Sequence, residues 1–410
     1  MFQAFSILFL VSAFMSYINY RWIKLPNTIG LMILGLLVAF IIIFSKNYFP
    51  DLYAFFCGLI IDADFKTLLL DVMLSFMLFA GAMHVNIQDL AKEKIPVILF
   101  ASLGVLISTA IVGSLLWIIA PFAGISVPLI HCLLFGALIS PTDPIAVIAI
   151  LKSAGVSKSL ELKIEGESLF NDGVGVVVFS GILLLLGTME GAEAIANEVG
   201  YLFLEEAVGG IVYGIILGFI GYFLMKSIKE NPQLVVMISL SIAMGGYAVA
   251  SLIHVSGPLA MVVTGLIIGN KFNVKENIGE ARSLLNNTWE VLDEVMNGIL
   301  FLLIGLYIHI LEFNLTFFYL GLASIVVVLI ARFISVFIPI SLLRHQGDKL
   351  KTTTVLSWGG LRGGISLALA ISLPLGTSNE LILFITYTVV IFSVLFQGLS
   401  IGSLVKKINI

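Results

Sequence analysis

Asp143, Glu167, Asp172, Arg332 and Arg362 stand deep inside long apolar stretches of this 410-residue chain. An ionisable side chain inside a bilayer costs at least about 2.5 kcal/mol on insertion scales, so it faces a cavity, pairs with an opposite charge or does work. Three carboxylates against two guanidiniums leave one acid without a fixed partner. That acid must hold either a proton or a dissolved cation. A site obliged to carry one of two cations, and unable to carry neither, is the minimum device for exchanging them.

The sequence around each charge sharpens this chemistry. Ile139-Ser140-Pro141-Thr142-Asp143-Pro144 places two prolines in mid-stretch, and each removes a backbone donor and breaks the helical ladder. Broken helix is tolerated at membrane depth only where it is buried in protein or lines a cavity. A plain proline kink does not explain why a hydroxyl and a carboxylate, Thr142 and Asp143, sit at the break. The next stretch reads Glu165-Gly166-Glu167-Ser168-Leu169-Phe170-Asn171-Asp172-Gly173. Ser168 and Asp172, four apart, stack on one helical face with Asn171 adjacent. They supply hydroxyl, amide and carboxylate oxygens, which suit a small hard cation. Glu167 points about 100° away around the helix, toward a different partner. Ser357-Trp358-Gly359-Gly360-Leu361-Arg362-Gly363-Gly364-Ile365 surrounds an arginine with four glycines, which permit unwinding or very close helix contact.

The elements that must position these groups are membrane helices. The chain is 60% hydrophobic and only 11% charged, against about 25% charged in soluble domains. That composition excludes a soluble enzyme, a nucleic-acid partner and a disordered chain. Period-2 alternation is absent, so the expected fold is an all-α polytopic membrane protein rather than a barrel. Thirteen spans are expected, at 2–19, 27–44, 68–84, 96–120, 128–151, 164–186, 203–225, 234–253, 257–270, 289–311, 316–343, 352–374 and 380–404. Arg21 and Lys24 follow the first run rather than precede it, which is the wrong order for a secretory signal. With thirteen spans, Lys46 and Lys66 alone among the loop Lys and Arg residues fall on the side where Asp51, Asp62, Asp64, Glu190, Glu193, Glu198 and Glu380 gather. The remaining seventeen, from Arg21 to Lys407, fall on the other. The positive-inside rule then puts the N-terminus outside and the C-terminus in the cytoplasm.

The interrupted spans are the fifth and the twelfth. Numbering spans 1–6 and 8–13 as two repeats of opposite orientation makes them equivalent members, with span 7 as the joint. Paired discontinuous helices in an inverted repeat point to a transporter site where they cross at the midplane. Their half-helix ends carry partial charges that Asp143 and Arg362 can neutralise with opposite signs. The least apolar stretch, from about Lys271 to Asn287, reads as an interfacial linker. No soluble regulatory domain is expected. Cys57 in a loop and Cys132 in an apolar run offer no disulfide framework and no thiolate metal site. His84, His131, His254, His309 and His345 are scattered and read as packing or interface residues.

These motifs together resemble the monovalent cation/proton antiporters, the family of prokaryotic NhaP-type and animal sodium/proton exchangers. The resemblance rests on Ser140 to Pro144, Gly166 to Gly173, Arg332 in the eleventh span and Gly359 to Gly363. It implies Asp172 as the alternating carrier of proton and cation, with Asn171 helping to set the site. Ser168 and Thr142 add oxygen ligands to Na⁺ beside Asp172, Thr142 through its backbone carbonyl. It also implies a structural Glu167–Arg332 bridge and a supporting role for Asp143 at the crossing. Asn before the Asp resembles the electroneutral branch, with one cation per proton. Further implications are a homodimer in membrane lipid, in the plasma membrane of a prokaryote, with no cofactor. Residues 96–186 and 316–410 form the moving core in that family pattern, and 1–95 and 187–315 the linker and scaffold. One departure stands out. Members often carry an acid on the third span before an Ala-Gly pair, and here Phe79 aligns with it. A K⁺/H⁺ antiporter of the same fold and a cation channel remain as alternatives. A membrane-embedded hydrolase is weaker, because Ser168 has no activating His nearby in sequence.

Overall fold

A computed structural model describes residues 2–46, 48–51, 53, 54, 58, 67–187, 192–272, 279–343, 348–373 and 377–408. Cys57, Asp62, Asp64, Lys66, Glu190, Lys275, Arg344 and His345 lie outside the described residues. Helix is the only regular secondary structure among those described. Each of the thirteen expected segments coincides with a helix or a broken pair of helices. Polar caps set many of the starts. Asn231 accepts the N–H of Leu234, Ser256 that of Leu259, Asn314 those of Thr316 and Phe317, and Asp348 those of Leu350 and Lys351. Each satisfies amide groups that a helix N-terminus leaves unpaired.

The helices in chain order are α1 (Phe2–Ile18), α2 (Asn27–Ser45), α3 (Leu74–His84) and α4 (Lys94–Ala123). The first interrupted segment is α5 (Leu129–Ile139) and α6 (Ile145–Ala154), followed by α7 (Lys158–Gly187) and α8 (Ala192–Ser227). Then come α9 (Pro232–Leu252), α10 (Gly257–Lys271), α11 (Gly279–Leu306) and α12 (Leu315–Leu342). The second interrupted segment, α13 (Lys349–Gly359) and α14 (Gly364–Ile371), bends by 53°, and α15 (Ser378–Ile408) closes the fold. Among the described residues, eight helices, or nine with that bent pair, are long and apolar enough to cross a membrane. The difference from thirteen lies in the interrupted α5–α6, in the short α3 and α10, and in the charged first half of α11.

One boundary differs from the expected one in an instructive way. The stretch read as a linker to Asn287 is already helical from Gly279, with Ala281, Leu285 and Trp289 buried at every fourth position. That narrow stripe is enough to dock an amphipathic helix, although the segment is polar on average. The expected third span opens on a π-turn, Leu68–Met73. The interior is packed with large apolar side chains; Trp289 donates to Ser239 Oγ at 2.9 Å and meets the Phe79 ring at 4.5 Å between centroids.

Candidate functional site

The prolines at 141 and 144 stop α5 at Ile139 and delay α6 to Ile145, and the glycines stop α13 at Gly359 and delay α14 to Gly364. The two gaps meet: the Asp143 N–H donates to the Leu361 carbonyl at 2.8 Å. Arg362 donates through Nη1 to the carbonyls of Ser140 and, at 2.9 Å, Pro141. A guanidinium therefore sits on the negative, C-terminal end of α5. Asp143 Oδ1 accepts the Ile145 N–H at 3.0 Å, so a carboxylate caps the positive end of α6. Close approach explains the glycines. A Cβ on Gly363 would lie 2.7 Å from Asp143 Cβ, and one on Gly360 would lie 2.7 Å from Arg332 Nε.

The polar face of α7 is laid against this crossing. Ser168 Oγ donates to the Thr142 carbonyl at 2.7 Å, and Asn171 Nδ2 donates to Thr142 Oγ1 at 2.8 Å. Thr142, Ser168 and Asp172 line one cavity of about 590 Å³. Asp172 is 9% exposed, and among the described residues no hydrogen bond or ion pair engages its carboxylate. Asn171 is fully buried, and its Oδ1 has no partner among those residues. A carboxylate, a hydroxyl and a carbonyl gathered on one cavity are the hard oxygens that a small cation prefers.

Glu167 points away from this space and binds Arg332 through both oxygens, one of them at 3.0 Å from Nη2. The pair is buried, and Arg332 also donates to the Leu356 carbonyl at 3.3 Å. One guanidinium thus ties α7, α12 and α13 together.

The cavity runs outward from Asp172 to exposed Lys152, Lys158, His84 and Glu290. At its mouth Lys152 bridges Glu161 at 3.0 Å and Glu165 at 3.4 Å, and Lys158 also reaches Glu161 at 3.0 Å. The wall contributed by α3 is Leu74, Met77, Leu78 and Gly81. Phe79 packs instead on Trp289, so no acid takes the place that Phe79 fills.

Two lining residues escaped the sequence reading: Glu290 and Asp293 of α11. Both fall within the expected tenth span, and their spacing of three on one helical face was the available signal. Their position near the polar start of that segment disguised them as loop charges. Asp293, half-buried, is thus a further acid inside an expected span beyond the three counted.

An all-helical membrane bundle in which two interrupted helices cross beside an unpaired carboxylate is the architecture of a secondary transporter. The chain belongs to the sodium/hydrogen exchanger family, whose transmembrane family model matches residues 9–407. It is 45% identical over 404 residues to the Na(+)/H(+) antiporter NhaP of Pseudomonas aeruginosa, covering 97% of this chain and 95% of that one. It is 33% identical to the Na(+)/H(+) antiporter ApNhaP of Aphanothece halophytica, covering 97% of this chain and 72% of the relative. The fold matches the structure of the sodium proton antiporter MjNhaP1 from Methanocaldococcus jannaschii with a TM-score of 0.76 at 19% identity, over 99% of both chains. The family is one of transporters rather than enzymes.

Proposed function

We propose that this protein exchanges Na⁺ (or Li⁺) for H⁺ across the membrane, one for one, and so serves pH and sodium homeostasis. The observation that carries the reading is the Asp172 carboxylate: it lines a cavity with the Ser168 hydroxyl and the Thr142 carbonyl and has no basic partner among the described residues. Asp172 binds a proton or Na⁺, and either loaded form is neutral enough to move. The empty charged form stays put, because desolvating a bare carboxylate is expensive. Spans 4–6 and 11–13 move as a core against the remaining spans, which dimerise in the lipid. The crossing of α5–α6 with α13–α14 and the Glu167–Arg332 pair hold that core as one body. By the lysine bias, the cavity opens to the cytoplasm of a prokaryotic cell.

Competition for one carboxylate gives a pH response without a separate sensor. Raising pH strips the proton and lowers the half-saturating Na⁺, until scarce protons slow the return step and the rate falls again, giving a bell. The test is exchange in proteoliposomes at clamped potential, with Na⁺, Li⁺ and K⁺ compared over a range of pH. Rates independent of the potential and a Na⁺ half-saturation that falls with rising pH are expected. A half-saturation that does not move with pH, or cation flux without proton counter-movement, sinks the reading.

A further inference from the structure

Not every acid of the cavity is committed to the ion site. Glu290 and Asp293 lie three apart on α11, on one face, and line the same cavity as Asp172. Lys152, Lys158 and Asp143 around that space have partners. Lys152 is held by Glu161 at 3.0 Å and by Glu165 at 3.4 Å, and Lys158 by Glu161 at 3.0 Å. Asp143 Oδ1 accepts the Ile145 amide at 3.0 Å. Among the described residues no Lys, Arg or His nitrogen comes within 4.0 Å of the carboxylates of Glu290 and Asp293. At the inner end Asp172, nine-tenths buried, presents a carboxylate with no hydrogen-bond or ion-pair partner among the described residues. A cation moving from exposed Glu290 to Asp172 therefore passes Asp293, a carboxylate with no basic group within ion-pair distance among the described residues.

We propose that Asp293, assisted by Glu290, is a cation-gathering station that sets how readily Na⁺ is taken from the side on which the cavity opens. This rests on the exchange reading above. Asp293 is a positioning residue: it concentrates hydrated Na⁺ in the cavity and leaves ligation to Asp172, Ser168 and Thr142. A cleft lined by one sign of charge in a low-dielectric wall raises local counter-ion concentration by about 10- to 1000-fold, and two carboxylates supply the lower part of that range. The station is on α11 and the carrier on α7, two elements that separate in the proposed movement. It therefore serves one face of the membrane only.

The experiment measures Na⁺/H⁺ exchange in everted and right-side-out vesicles bearing the full chain. Asp293→Asn is expected to raise the half-saturating Na⁺ on the cavity side about three- to tenfold at low salt. The difference shrinks in about 1 M choline chloride, where the Debye length is about 3 Å. Half-saturation on the opposite side stays unchanged, and Asp293→Glu restores the wild-type value. A wild-type half-saturation in Asp293→Asn on the cavity side, or an equal and salt-independent shift on both sides, overturns the proposal. If Asp293→Asn does not reach the membrane, Glu290→Gln decides: a smaller one-sided, salt-sensitive shift supports the station and no shift overturns it. Wild-type vesicles that exchange no Na⁺ for H⁺ overturn the exchange reading itself, and this inference with it.

Discussion

Asp172 and Glu167 are acids of one helix, five residues apart, with opposite fates. Glu167 is saturated by the Arg332 guanidinium, whereas Asp172 faces a cavity beside oxygens that solvate cations. Their mutations should therefore separate folding from transport. Asp172→Asn keeps shape and volume and removes the titrating group. It is expected to abolish exchange with an unchanged melting temperature in detergent, and residual exchange would show that another acid carries the ion. Glu167→Gln leaves a buried guanidinium without its counter-charge, a loss of about 3–5 kcal/mol of stability. Its signature is a markedly lower melting temperature and a smaller yield of intact protein, whatever remains of the rate. The types and helical spacing of these residues were legible in the sequence. What each one touches was not, since Arg332 is 165 residues from Glu167 along the chain.

The interrupted helices show where local chemistry speaks and where it stops. Pro141 and Pro144 declare the first break because proline cannot donate to the ladder. The glycines around Arg362 declare the second because they admit close backbone contact. The meeting of the breaks joins Arg362 to Ser140 across 222 positions, and no periodicity encodes that. Gly363 tests the crossing: a Cβ there would lie 2.7 Å from Asp143 Cβ. Gly363→Val is expected to push the breaks apart and lower the maximal rate at least about tenfold, an effect of remote misplacement on a preorganised site. A wild-type rate in vesicles would show that the contact is not needed. The start of α11 was hidden for a different reason. Its stripe of Ala281, Leu285 and Trp289 is one residue wide per turn, and the charges between those positions make the average look like a loop.

For the molecule as a whole, the apolar composition declared the solvent, and the loop cations set the expected orientation. Large side chains remain exposed along α8, among them Leu204, Val208, Ile215, Phe219 and Phe223, the surface expected of a body bathed in lipid or in a second copy. Tyr17, Tyr20 and Trp22 are also exposed beside Arg21 and Lys24 at the end of α1, where aromatic and basic residues anchor at a headgroup layer. The orientation is open to a direct check. Alkaline phosphatase, which folds only outside the cytoplasm, should be inactive when fused after Ile410, and a fluorescent protein fused there should glow. The reverse pattern would invert the topology and place the cavity on the outer face.

Arg362 gives the crossing a fastener of an unusual kind. It grips carbonyl oxygens of Ser140 and Pro141, and neither partner has a proton to gain or lose near neutrality, as the guanidinium has none to surrender. The rivet that joins the two half-helix pairs is thus blind to the very ion whose gradient the machine converts. In the proposed exchange, the carboxylate of Asp172 can therefore gain or lose its proton beside this grip while the Arg362 contacts themselves carry no group that titrates near neutrality.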